Sequence, residues 1–163
     1  MAAAELFLFA LAALGGAFAG VFLLARRLDN YGTVDVAWSL AFAPLALFYA
    51  AAADGWPARR WLLAGLVCVW SIRLGIHLFI RVAGHHPVED ARYAELRREY
   101  GDRLGFRMFR FFQSQAVSVP VLGIGFLAAA RNPAPILHPL EIAGTALWLV
   151  ALLGEAVADA QLA

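Results

Sequence analysis

VWSIRLGIHLFIR, residues 69–81, decides how the rest of the chain is read. It lies within an otherwise apolar run long enough to cross a bilayer. Arg73 and His77 fall inside that run, and Arg81 closes it. Side chains four apart share one face of a helix. Arg73, His77 and Arg81 therefore form a stripe, with Trp70 one turn earlier on the same face. A charged side chain at membrane depth costs roughly 2.5–3.5 kcal/mol on insertion scales and marks a functional site by default. The bland reading is snorkelling of Arg73 to the interface, roughly 10 Å away at the helical rise. Snorkelling accounts for one arginine more readily than for three ionisable side chains on one face.

The composition around this stripe sets the fold class. The chain is 63% hydrophobic with a mean hydropathy of +0.71, well above the roughly 45–50% apolar content of a soluble domain. With several apolar runs of about 20 residues, this predicts an all-α polytopic membrane bundle forming one domain over residues 1–163. A net charge of +1 offers no concentrated basic surface and excludes a nucleic-acid partner. All 13 cations are arginine, which, with the abundant alanine, points to a GC-rich genome. Cys68, the single cysteine, has no partner for an intramolecular disulfide. The N-terminal apolar run lacks a basic leader and reads as a retained first span.

Five spans are predicted: Leu6–Ala25, Val34–Ala53, Trp61–Ile80, Phe111–Ala130 and about Leu140–Val157. Gly15, Gly16 and Gly20 suit close helix packing in the first. Asn30-Tyr31-Gly32 carries turn chemistry. Asp35 opens the second span, either as a carboxylate favoured by the helix dipole or as a counter-charge for the third span's cations. Pro120 is placed to kink the fourth span. Between the third and fourth spans, Arg81–Arg110 is the one substantial polar segment. Pro87 starts, and Val88–Gly101 forms, an amphipathic surface helix with Tyr93, Leu96, Tyr100 and Leu104 at helical spacing. His85, His86 and Glu89 lack the second cluster that a zinc site needs, so no metal is expected.

Alternating spans put nine arginines (26, 27, 81, 92, 97, 98, 103, 107 and 110) on one side and three (59, 60 and 131) on the other. The positive-inside rule makes the first side cytoplasmic and places the N-terminus outside. The Asp29–Asp35 turn, the Arg73–Arg81 stripe, Gln113 and Gln115, and Glu155 and Asp159 then share the cytoplasmic half. Such a layer either pairs its charges internally or holds a phosphate-bearing ligand through bidentate arginines.

Several stretches resemble the steroid 5-alpha-reductase superfamily, specifically its bacterial branch of uncharacterised membrane proteins. They are Asn30-Tyr31-Gly32-Thr33-Val34-Asp35-Val36-Ala37-Trp38, Trp70-Ser71-Ile72-Arg73-Leu74 with His77-Leu78 and Arg81, Glu89-Asp90-Ala91-Arg92-Tyr93 with Arg97, and Gly154-Glu155-Ala156-Val157-Ala158-Asp159-Ala160-Gln161-Leu162. The resemblance implies a bacterial inner-membrane bundle that uses NADPH to reduce a carbon–carbon double bond conjugated to a carbonyl. Its partners would be a lipid-like small molecule and the membrane lipids.

By the same resemblance, Arg73, His77 and Arg81 form the cofactor-facing stripe. Glu155 and Asp159 hydrogen-bond the cofactor from the fifth span, and Arg92, Tyr93 and Arg97 border it. Where the family presents a carbonyl-polarising tyrosine and glutamate, this chain has Trp70 and the neighbourhood of Trp38; indole donates one hydrogen bond and is no acid. The family also continues past the fifth span into an Arg-His-Pro and Tyr motif, whereas this sequence ends at Ala163. The alternative expectation is a truncated, non-catalytic membrane remnant or scaffold with internally paired charges. A methyltransferase, the activity of related bundles, has no positive signal here.

Overall fold

The computed structural model describes residues 1–162, without the side chain of Leu162. It is a helical bundle of α1 (Ala3–Arg27), α2 (Thr33–Ala52), α3 (Pro57–His85), α4 (Ala91–Tyr100), α5 (Leu104–Leu122), α6 (Ile124–Ala130) and α7 (Pro139–Leu162). A short 3₁₀ turn, Gly101–Arg103, joins α4 to α5. Five segments are long and apolar enough to cross a membrane: α1, α2, α3, the run ending in α5–α6, and α7. The chain is thus a multi-pass membrane protein, as its composition predicts.

The middle of the bundle is α2, which packs most extensively on α3. Pro44 lies inside α2, and a proline ring there breaks the backbone ladder. Beside it, Ser71 of α3 supplies the bonds the ladder lacks. The Ala43 N–H donates to Ser71 Oγ at 3.1 Å, and the Ser71 hydroxyl donates to the Ser39 carbonyl at 2.6 Å. Both serines are fully buried. Against α1, α5 packs an aromatic cluster, with Phe22 in edge contact with Phe109 and Phe112 at 5.4 and 5.5 Å.

The α5–α6 break follows Pro120 and falls at Gly123. A Cβ at Gly123 would lie 2.6 Å from Leu45 Cδ2, so α2 and the break meet closely only because no side chain intervenes. Gly55 is tighter still: a Cβ there would sit 2.3 Å from the Ala130 carbonyl oxygen. The first-span glycines do not play the expected role. Gly16 and Gly20 have nothing within 4 Å of a built Cβ, and Gly15 has only Gln113 Oε1 at 3.5 Å. Gly16 and Gly20 face open space, while Gly15 sits at the α1–α5 contact, where its carbonyl accepts from Gln113 Nε2 at 3.3 Å.

Two boundaries also shift. The third helix starts at Pro57, whose missing N–H costs nothing in the first turn, and it extends to His85. The polar-segment helix begins at Ala91 rather than Val88, because Asp90 caps it by accepting the Arg92 N–H at 3.0 Å.

Unlike its neighbours, α7 stands off from the bundle. None of its described residues is buried, and it is tied to α3 by charged groups near each end.

Candidate functional site

At one tie, Arg59 of α3 is 3% exposed. Its Nε donates to Glu141 Oε1 at 2.6 Å and its Nη2 to Glu141 Oε2 at 3.1 Å. The remaining donors reach the carbonyls of Asn132 (3.0 Å), Ala134 (2.8 Å) and Ile136 (2.7 Å). One guanidinium therefore fixes the α6–α7 turn and the start of α7 together. Nothing in the sequence singled out this pair. Its signal is register: 59 to 73 and 141 to 155 are equal steps on two spans that run the same way.

At the other tie, the stripe and the α7 carboxylates meet. Arg73 Nη1 donates to Asp159 Oδ2 at 2.7 Å, and Nη2 lies 2.6 Å from Glu155 Oε2, off the hydrogen-bonding axis. Arg73 Nε has no partner among the described residues. His77 Nε2 stands 3.8 Å from Asp159 Oδ1. Glu155 and Asp159, four apart, present one face of α7. Arg73, His77, Glu155 and Asp159 thus gather as one group.

Between the two ties, α3, α6 and α7 enclose a groove of about 620 Å³. The ties are about 21 Å apart at the helical rise. Leu62, Leu66, Phe126 and Trp148 supply apolar wall, while Arg59 and Glu141 close one end and Glu155 lines the other. Trp70 lines it too and packs edge-on to Phe42 at 5.4 Å. Its indole N–H has no acceptor among the described residues. Trp38 differs: its Nε1 donates to Ser118 Oγ at 2.8 Å, so its only donor is already used.

A second cluster covers the α4 end of the bundle. Glu89 accepts the Tyr31 N–H at 2.5 Å and Arg97 Nε at 2.5 Å. Arg97 also bridges to Asp29 Oδ1 at 2.9 Å and stacks over the Tyr31 ring at 4.6 Å. Tyr93 is 3% exposed and donates to Asp35 Oδ1 at 2.8 Å. Arg92 Nη2 reaches Asp35 Oδ2 at 3.0 Å, and its Nε reaches Asp90 Oδ1 at 3.1 Å. This latch joins α4 to the α1–α2 turn.

The latch overturns one expectation: Asp35 is not a partner of the third span's inner cations but of Arg92 and Tyr93. Arg81 belongs to this end as well, with Nη2 3.5 Å from Asp90 Oδ2. Gln113 leaves the layer entirely, donating to the Gly15 carbonyl at 3.3 Å. For Gln115, only its carbonyl is engaged, by Ser118 Oγ at 2.8 Å.

Titration at the latch follows its contacts. The Arg92 guanidinium holds the Asp90 carboxyl below the usual carboxylate range. Burial, with Asp35 alongside, pushes the Tyr93 phenol well above its ordinary value. Glu89 raises Arg97. Between latch and stripe lies a polar pocket of about 430 Å³, lined by Asn30, Asp35, Arg81, His85 and Asp90 among others. Its mixed cations and carboxylates can hold phosphates and hydroxyls together, and it sits beyond the Arg73 end of the groove along the same stripe.

A family model described as "Protein of unknown function (DUF1295)" matches residues 21–163. No curated protein matches, and no solved structure matches.

Proposed function

Starting from the fact that the chain belongs to DUF1295, a family of unknown function, we propose that it is a membrane-embedded reductase taking NADPH from the cytoplasm and a lipid-like enone from the bilayer. The observation that carries this reading is the groove. It is apolar, about 620 Å³ in volume, and ends at Glu155 beside an arginine with an unused donor. The motif resemblance to steroid 5-alpha-reductases supports it, and nine arginines on the α4 side orient that end toward the cytoplasm.

The residues present fit such a cofactor. Arg73 Nε is an orphaned donor, and His77 and Arg81 extend the cationic stripe from it to the polar pocket. Phosphate oxygens suit Arg73 and Arg81, while Asp35 and Asp90 suit hydroxyls. When bound, NADPH supplies the hydride. Glu155 and Asp159 keep Arg73 in one orientation, which removes the entropy of positioning it at the moment of use. Leu62, Leu66, Phe126 and Trp148 exclude water, which strengthens every polar contact at the groove's end. Trp70 N–H, without an acceptor among the described residues, would supply a hydrogen bond to a substrate carbonyl from the groove wall. The latch holds α4 over the cytoplasmic end.

A second reading is a non-catalytic scaffold. The observation favouring it is that Arg73, Arg81, Arg92 and Arg97 each face a protein carboxylate. Titration of the purified chain in mild detergent with NADPH, read by nicotinamide fluorescence, separates the two. The reductase reading expects saturable binding, weakened at least roughly tenfold in Arg73→Ala, which removes a charge-assisted contact. Absence of binding by folded wild type, or equal binding by Arg73→Ala, rejects it.

A further inference from the structure

The arginines of the α4 end divide into two populations. Arg81, Arg92, Arg97 and Arg98 face carboxylates at 3.5 Å or less. Five others do not: Arg26 and Arg27 at the end of α1, and Arg103, Arg107 and Arg110 at the start of α5. All five are exposed. Only Arg107 has an acidic neighbour, Glu99, at 3.9 Å, among the described residues.

Aromatic rings take the place of counter-charges. Arg26 lies over Phe22 at 5.8 Å, Arg107 over Tyr100 at 5.1 Å and Arg110 over Phe106 at 5.9 Å. Phe106 is 65% exposed. Phe106, Arg107 and Arg110 share one outward face of α5 by helical spacing, and Arg103 precedes them at its N-cap. Phe22 and Phe109, in edge contact at 5.4 Å, tie the α1 and α5 ends together. Asp29, Glu99 and Asp102 are the acids of these stretches, and Asp29 is paired with Arg97 at 2.9 Å, so five cations outweigh three anions. Both helix ends belong to segments long and apolar enough to cross a membrane, and the ends of a span of that length are where lipid headgroups meet it.

We propose that this α1–α5 rim is a binding surface for anionic phospholipid. Its arginines take the headgroup phosphate, and exposed Phe106 lies against the upper acyl chain. Unpaired arginines beside exposed aromatics suit a charge at the edge of an apolar phase. The surface is separate from the groove and from the latch, and it stands whether or not the chain reduces anything.

The test uses the full chain reconstituted in phosphatidylcholine bilayers containing spin-labelled phosphatidylglycerol or spin-labelled phosphatidylcholine. The fraction of label immobilised at the protein gives relative affinity. Wild type is expected to favour phosphatidylglycerol, with the preference fading as salt rises. Arg107→Gln/Arg110→Gln is expected to lose roughly fivefold of that preference, and Arg107→Lys/Arg110→Lys to keep it. Arg98→Gln, which removes a cation already paired with Glu95 at 2.7 Å, is expected to leave it unchanged. Equal affinity of wild type for both lipids overturns the proposal. A salt-insensitive preference overturns it even where a variant fails to fold. Abolition of the preference by inorganic phosphate at low ionic strength also overturns it, because phosphate alone would then be the ligand.

Discussion

Replacing Arg59 with methionine tests whether one guanidinium holds α7 in place. Methionine keeps most of the apolar stem but loses the guanidinium that lies over the Trp56 ring, and it removes five hydrogen bonds. Breaking a buried ion pair by deleting one partner costs about 3–5 kcal/mol when the other charge stays buried. Glu141 is 31% exposed at its side chain, and the three carbonyls belong to exposed residues, so all four acceptors regain water. The loss therefore falls at the low end, about 3 kcal/mol. Equilibrium unfolding from mild detergent into dodecyl sulfate, followed by tryptophan fluorescence, reads it. Glu141→Gln should cost less, since Arg59 keeps its three carbonyls. The double variant should cost no more than Arg59→Met alone, because the two changes delete the same contact. A cost under about 1 kcal/mol, as for a surface pair, or strictly additive costs, would refute the reasoning.

Other consequences concern the core, the turns and the latch. Ser71→Ala leaves the Ala43 N–H and Ser39 carbonyl unsatisfied in a dry interface, and about 1–3 kcal/mol of stability should be lost in the same unfolding assay. Gly55→Ala sets a methyl against the Ala130 carbonyl and should cost about 1–3 kcal/mol. Gly16→Ala, in open space, should be neutral or better by that measure. The Asp90 carboxyl is held low by Arg92, so its contribution is fully present above the ordinary aspartate value of about 3.9 and is lost as pH falls through the lowered one. Hydrogen exchange of α4 amides should accordingly stay slow from neutrality down to about pH 4 and quicken below it.

Much of this was legible in the residues, and the rest failed for physical reasons. The spans showed because bilayer crossing demands about 20 apolar residues, and the stripe showed because cations in such a run are costly. Their meeting with Glu155 and Asp159 followed from both helical spacing and topology. Asp35 lies in the first turn of α2, where the helix-dipole reading puts it; its counter-charge is Arg92 rather than the third span, because a carboxylate near a helix start carries no information about which of several arginines reaches it. Arg92 and Tyr93 supplied the answer from 57 and 58 residues away. Gly16 and Gly20 misled because a small residue permits close packing without requiring it. Nothing marks Arg59 in the sequence, since three of its four acceptor groups are backbone carbonyls that no side-chain pattern encodes. Ser71 was hidden for the same reason.

Single turnover of bound NADPH with a long-chain α,β-unsaturated ketone is the most direct test of the proposed site. Purified chain loaded with cofactor deuterated at the transferring position is mixed with the ketone in detergent, and the product is read by mass spectrometry. The expected result is one saturated ketone, deuterated at the β-carbon, per nicotinamide oxidised, with the yield falling at least roughly tenfold in Arg73→Ala. Folded protein that forms no labelled ketone, or an Arg73→Ala variant that forms as much as wild type, would contradict the assignment of the Arg73–Glu155 end of the groove as the place where cofactor and substrate meet.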